Sequence, residues 1–268
     1  MKLKKYSSIE ILEFLSSVNS APYYENETSN LIIKLLKETN IPFIKDDFGN
    51  IIANHKPDQI NNNISPIAFI AHMDHPGFEA TSYNENNELE ASPLGGVPIS
   101  SLISKTPILI RSTYGNWIKG KIRPVDNYLN NKKVYIDLEN KQTINLPAPV
   151  VFDLKKFSIK NNNICMRAID DLAGCASILS ALLQIAETKI SANMIAVFTR
   201  AEEVGLIGAR LMCENKTLPI NTTVISVESS PLIPGVFQGE GPIIRIGDRQ
   251  TTFNYEAEEI LTKALKNL

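Results

Sequence analysis

Apolar residues recur at helical intervals from the start of the chain. Ser7 and Glu10 have capping-box spacing, and Ile11, Leu12, Leu15 and Val18 follow, which predicts a first helix. Leu31, Ile32, Leu35 and Leu36 form a second stripe, ending before Pro42 and a short strand over Ile41 to Ile44. Asp47 to Asn50 then read as a tight turn into a strand over Ile51 to Ala53. Pro66 to Ala71 is almost continuously apolar, the pattern of a strand covered on both faces of an α/β sheet.

From about Phe78 to Lys160 the texture changes to short alternating pieces separated by Gly, Pro and Asn, which predicts a β-rich, barrel-like insertion. Helical periodicity returns after Asp171 with Leu172, Cys175, Ile178, Leu179, Leu182 and Ile185. A strand over Met194 to Phe198, a helix near Gly205 to Cys213, a strand over Thr223 to Val227 and a helix over Glu256 to Leu265 follow. The expected fold class is therefore α/β, a mixed sheet flanked by helices. It is expected in two segments, 1–75 and 161–268, around an inserted domain at 76–160. The Asn runs at 61–63 and 161–163 predict exposed turns.

Composition narrows the function classes. With 268 residues and 43% apolar content, the chain can bury a real core. A net charge of -2 supplies no field for nucleic acid or an anionic membrane, so neither is an expected partner. The first residues lack the uninterrupted apolar core of a signal peptide, and no apolar run approaches the roughly 20 residues of a membrane span. Cys165, Cys175 and Cys213 are odd in number and sit in apolar stretches. They are expected as small buried thiols, which places the chain in the reducing cytoplasm.

Four groups of residues carry the candidate chemistry. In AHMDHPGF, His72 and Asp74 lie two apart at the end of a buried strand. A neutral imidazole is a good metal ligand, and a carboxylate bonded to its other nitrogen would fix its tautomer, the role expected of Asp74. In AIDDLAG, Asp170 and Asp171 open a long helix, where capping the helix and binding a metal are both open readings. In FTRAEEVGLIGA, Glu202 and Glu203 follow a buried strand, so that one can hold a metal while the other handles a proton. Glu228 ends the strand TTVISV. All four groups fall at strand-to-loop junctions of one α/β unit, where ligands bind in such folds.

The series AHMD, AIDD..G, AEEVGL.GA and VE, with the early GNIIA and the late GEGPIIRIGDR, resembles the tetrahedral-aminopeptidase and glutamyl-aminopeptidase family of co-catalytic metallopeptidases over nearly the whole chain. The resemblance implies hydrolysis of N-terminal residues from peptides, with two divalent ions, zinc or cobalt, acidifying a water between them. By the same resemblance His72, Asp170, Glu203 and Glu228 are ligands, Asp74 is the orienting carboxylate and Glu202 is the general base. It also implies that the inserted domain serves homo-oligomeric assembly.

The chain departs from the family pattern in its histidines, which lie only at 55, 72 and 75, so the late His that completes the second ion has no counterpart. One expectation is a truncated fragment or catalytically impaired assembly subunit. The other is a short form holding one ion through His72, Asp170 and Glu228, since three protein ligands plus water make a normal catalytic zinc site. Leu172 stands where the family commonly has Arg, and His75 is expected at the pocket entrance. An N-acyl amino acid deacylase is the alternative reaction, since the same site would cleave any suitable amide. A final helix over Glu256 to Leu265 is expected to leave an apolar face or sheet edge uncovered and so to promote association.

Overall fold

The computed structural model describes residues 7–54, 65–102, 105–124, 133–140, 142–188 and 192–266. The Asn run at 61–63 and His55 lie outside them. The capping box forms as the sequence implies: Ser7 and Glu10 exchange hydrogen bonds at the start of α1 (Ser8–Leu15). Helix α2 (Asn26–Glu38) buries Ile32, Leu35 and Leu36. Strands β1 (Phe43–Lys45) and β2 (Ile51–Ala53) flank a turn in which the Asp46 carboxylate accepts from the amides of Gly49 and Asn50. Gly49 has φ +100°, a conformation that a side chain would strain.

Strand β3 (Ile67–His72) leads into six strands, β4 (Gly77–Tyr83), β5 (Leu89–Leu94), β6 (Thr106–Arg111), β7 (Trp117–Pro124), β8 (Val134–Leu138) and β9 (Ala148–Phe152). They close into a barrel in the order β4-β5-β8-β7-β6-β9, packed inside by Phe78, Ile108, Ile110, Ile122 and Val150. The hairpin β10 (Ser158–Lys160) and β11 (Asn163–Cys165) turns through Asn161 and Asn162, both at positive φ. Then come α3 (Ile169–Thr188), β12 (Met194–Thr199), α4 (Ile207–Glu214), β13 (Thr223–Ser226) and α5 (Tyr255–Leu265).

The main sheet runs β1-β2-β12-β3-β13. Strands β12, β3 and β13 are parallel, while β1 and β2 join antiparallel, so the sheet is mixed. Strand β12 is buried at all six positions, and its alternation serves two cores. Met194, Ala196 and Phe198 face the helices α1, α2 and α3, whereas Ile195 and Val197 face Met212 of α4. Truncating the fully buried Phe198 to alanine should therefore cost about 3–5 kcal/mol, read as a lower denaturation midpoint in urea.

Three expectations need correction. Of the cysteines only Cys175 is buried; Cys165 ends an exposed strand and Cys213 sits on the outer face of α4, because one apolar neighbour on each side does not make a core position. Helix α3 is, over its 20 residues, long and apolar enough to cross a membrane by composition. It is the central core helix instead, with Leu172, Cys175, Ile178, Leu179 and Leu182 buried against the sheet. Strand β3 is less fully covered than a continuous apolar run implies, since Ile67, Phe69 and Ile70 are only half-buried. Among the described residues the outer side of β13 has no strand partner, and α5 buries none of its side chains.

Candidate metal centre

Parallel pairing brings the carboxyl ends of β12, β3 and β13 to one side of the sheet, and the chain delivers polar groups at or just beyond each. His72 is the last residue of β3, Glu202 and Glu203 follow β12, and Glu228 follows β13 by two residues rather than ending it. Asp170 arrives from the opposite direction, at the start of α3.

The two adjacent aspartates divide the alternatives that their sequence left open. Both have non-helical backbone angles and a cis peptide joins them. The Asp171 carboxylate accepts from the amide of Gly174 at 3.1 Å, the bond of a helix N-cap. Asp170, ahead of that cap, lies before the first regular turn of α3, its Oδ1 3.1 Å from His72 Nε2. The same ring nitrogen is 3.5 Å from Glu228 Oε1 and 3.7 Å from Glu202 Oε2. Two sets, His72–Asp170–Glu228 and His72–Glu202–Glu203, each place their ligand atoms within 4.8 Å of one another. All six residues singled out from the sequence thus gather around one imidazole or the loop beside it.

Asp74 differs from expectation in how it acts. The Nδ1–H of His72 donates to the Asp74 main-chain carbonyl at 2.9 Å, while the carboxylate lies 3.7 Å from that nitrogen. Its two oxygens accept instead from the amides of Glu202 and Glu203, at 3.0 and 3.1 Å. The buried Asp74 therefore ties the loop after β12 to the end of β3. His75 is not at an entrance; it is 5% exposed, its Nδ1 beside the Pro76 carbonyl, and burial pushes it down to about 4. Leu172 lies in the main core.

The electrostatics are those of an acidic site around one imidazole. Burial opposes charge on His72, yet Asp170, Asp74 and Glu228 outweigh it and hold the ring well above its ordinary value. Burial raises Glu202 and Glu228, and takes Glu203 to about 7 despite the pull of His72. On Asp170, by contrast, burial is outweighed by His72, which draws it down, and this gathering of carboxyls on one imidazole is a donor set that a cation would complete.

Residues 49–267 match the profile of the M42 glutamyl aminopeptidase family. The chain belongs to that family. It is thereby a peptidase. FrvX of Escherichia coli (strain K12), a proposed aminopeptidase, is 24% identical over 284 residues, which cover 97% of this M42 chain and 76% of FrvX. The solved TET1 peptidase of Pyrococcus horikoshii, which assembles into a tetrahedron or a large octahedral shell, superposes with TM-score 0.79 at 23% identity, covering 97% of this chain and 82% of that one. A TET aminopeptidase from a marine-sediment thaumarchaeon gives TM-score 0.81 at 20% identity, covering 97% and 78%.

Sequence reading missed three residues that shape this M42 site. Glu25, fully buried, accepts from Arg200 Nε at 2.6 Å and from the Ala201 amide at 2.9 Å. Asn50 accepts from the Arg200 amide at 3.0 Å and donates to the Gly208 carbonyl. The available signal was the arginine set between a strand with one polar residue, Thr199, and an acidic pair, a costly place for a charge without a buried partner.

Proposed function

We propose that this chain is a metal-dependent aminopeptidase that removes residues from the amino terminus of peptides, with Glu202 carrying the proton. The observation that supports it is the convergence of carboxylates on His72, with Glu202 Oε2 only 3.7 Å from the ring. One nitrogen among several oxygens is a donor set that suits zinc or cobalt. His72, Asp170 and Glu228 would hold one ion, with Glu203 beside them. One ring nitrogen serves one ion, so a second ion would rest on carboxylates alone among the described residues. Divalent ions bound there would acidify a water and polarise the scissile carbonyl.

The chain's own groups do the rest. Glu202, held up by burial, takes the proton of the attacking water and passes it to the leaving amine. Asp74 holds the amides of Glu202 and Glu203 and so keeps the base aimed. The clustered carboxylates favour a substrate's terminal ammonium over a neutral, acylated end. This is the basis for reading an exopeptidase.

The test is hydrolysis of aminoacyl p-nitroanilides by the purified chain before and after chelation. Turnover should be lost on chelation and return with zinc or cobalt. Full activity in the chelated chain would remove metal from the reading, and equal cleavage of N-acetylated substrates would favour the deacylase instead. We also infer a cytoplasmic setting, supported by three free thiols, and a homo-oligomer. Supporting the oligomer are the exposed apolar side chains of Ile220, Val224, Phe237 and Tyr255 and, among the described residues, an edge of β13 that no strand pairs. Sedimentation at micromolar concentration should accordingly give a mass above that of one 268-residue chain, and a clean monomer would refute assembly.

A further inference from the structure

We propose that Glu25 and Arg200 are positioning residues for Glu202 and Glu203, clamping the main chain from which both project. The inference rests on the reading of Glu202 as base and goes beyond it.

Consecutive amides leave β12 into the grip of two buried carboxylates. Glu25 Oε1 takes the amide of Ala201 at 2.9 Å, and the two oxygens of Asp74 take those of Glu202 and Glu203. The chain needs holding here because Ala201 has φ +54°, a left-handed conformation that a Cβ disfavours. The guanidinium of Arg200 donates to three acceptors, none of them in the His72 cluster. Besides Nε on Glu25, Nη1 donates to the Phe48 carbonyl at 2.5 Å and Nη2 to the Tyr23 carbonyl at 2.6 Å, while the group stacks over the Phe48 ring.

Three otherwise separate pieces, the loop before α2, the turn between β1 and β2, and the loop after β12, therefore meet at one ion pair. Burial pushes the Glu25 carboxyl up, and the Arg200 charge pulls it back, so the pair depends on both members. Glycine at 208 completes the seat: a Cβ there would fall 2.4 Å from the Arg200 carbonyl and 2.5 Å from Asn50 Oδ1. Among the described residues neither the Glu25 nor the Arg200 side chain is hydrogen-bonded or ion-paired to His72, Asp170, Glu203 or Glu228. Their effect must pass through the backbone of residues 201–203.

The test compares Glu25→Gln and Arg200→Lys with the parent 268-residue chain. Thermal melts establish the folded fraction, steady-state kinetics on an aminoacyl p-nitroanilide give kcat and KM, and visible absorption follows Co2+ added to the chelator-stripped protein. A base displaced by about 1 Å lowers rate on the order of 100-fold. Glu25→Gln should thus lower kcat roughly 10- to 100-fold with KM within about threefold, and should weaken and reshape the cobalt spectrum because Glu203 moves with Glu202.

Adding Ala201→Gly, which adopts the left-handed conformation freely, should return part of the lost kcat. Wild-type kcat and cobalt spectra in both variants would overturn the proposal, as would a loss that merely tracks the unfolded fraction, or no recovery with Ala201→Gly. Should Glu25→Gln fail to fold, Arg200→Lys decides on the same readouts. An inactive parent chain would sink the functional reading separately, and cobalt binding would still report on positioning.

Discussion

Replacing Glu202 by glutamine should lower kcat by about 10²- to 10⁴-fold while KM moves only a few-fold. Glutamine keeps the size of the side chain and leaves the Glu202 amide on Asp74, so the loop holds its course. What disappears is the ability to accept a proton beside His72, from which Glu202 Oε2 is 3.7 Å away. The affinity of the chelator-stripped chain for Co2+ decides between two roles, because Glu202 also belongs to one of the two clustered ligand sets. Unchanged affinity with collapsed kcat identifies a base. Lost affinity identifies a ligand, and unchanged kcat removes Glu202 from the reaction.

The second large effect is expected at Gly174. A Cβ built there would lie 2.5 Å from both oxygens of the buried Asp171 carboxylate and 2.7 Å from the Val227 carbonyl. None of these can swing aside. One is a main-chain oxygen, and the others belong to the cap of α3. Gly174→Ala would gain up to about 1 kcal/mol in helix propensity. Overpacking costs about 1–3 kcal/mol, and the upper end applies where the neighbours are fixed. The displaced groups adjoin Asp170 and Glu228, so weaker cobalt binding should accompany the lower urea midpoint. A variant as stable as the parent with intact cobalt binding would show that the helix can shift away from β13.

Much of the frame was legible because it follows from periodicity. The apolar stripe after Asp171, the capping box at Ser7 and the apolar runs that became β3 and β12 each declare themselves locally, and strand ends followed by polar residues pointed to His72, Glu202 and Glu228. Local pattern does not encode pairing. Nothing in residues 77–152 specified that β4 would close on β9, or that β2 would run antiparallel to β12. Nor does it encode which atom of a side chain is used, which is why Asp74 was expected to hold an imidazole and holds amides. Glu25 and Arg200 lie 175 positions apart, and although Arg200 stands within FTRAEEVGLIGA, nothing in that motif names its distant partner.

The parallel trio β12, β3 and β13 also sets a length. Neighbouring strands lie about 4.8 Å apart wherever main-chain hydrogen bonds join them, whatever side chains they carry. Their three ends therefore mark off a span of about 10 Å, with His72 at its middle graduation and acidic residues beyond either side. The backbone is the ruler, and the donors are only what is mounted on it. Exchanging Glu228 for aspartate or His72 for another donor changes what the centre grips while the graduations stay where the sheet has put them.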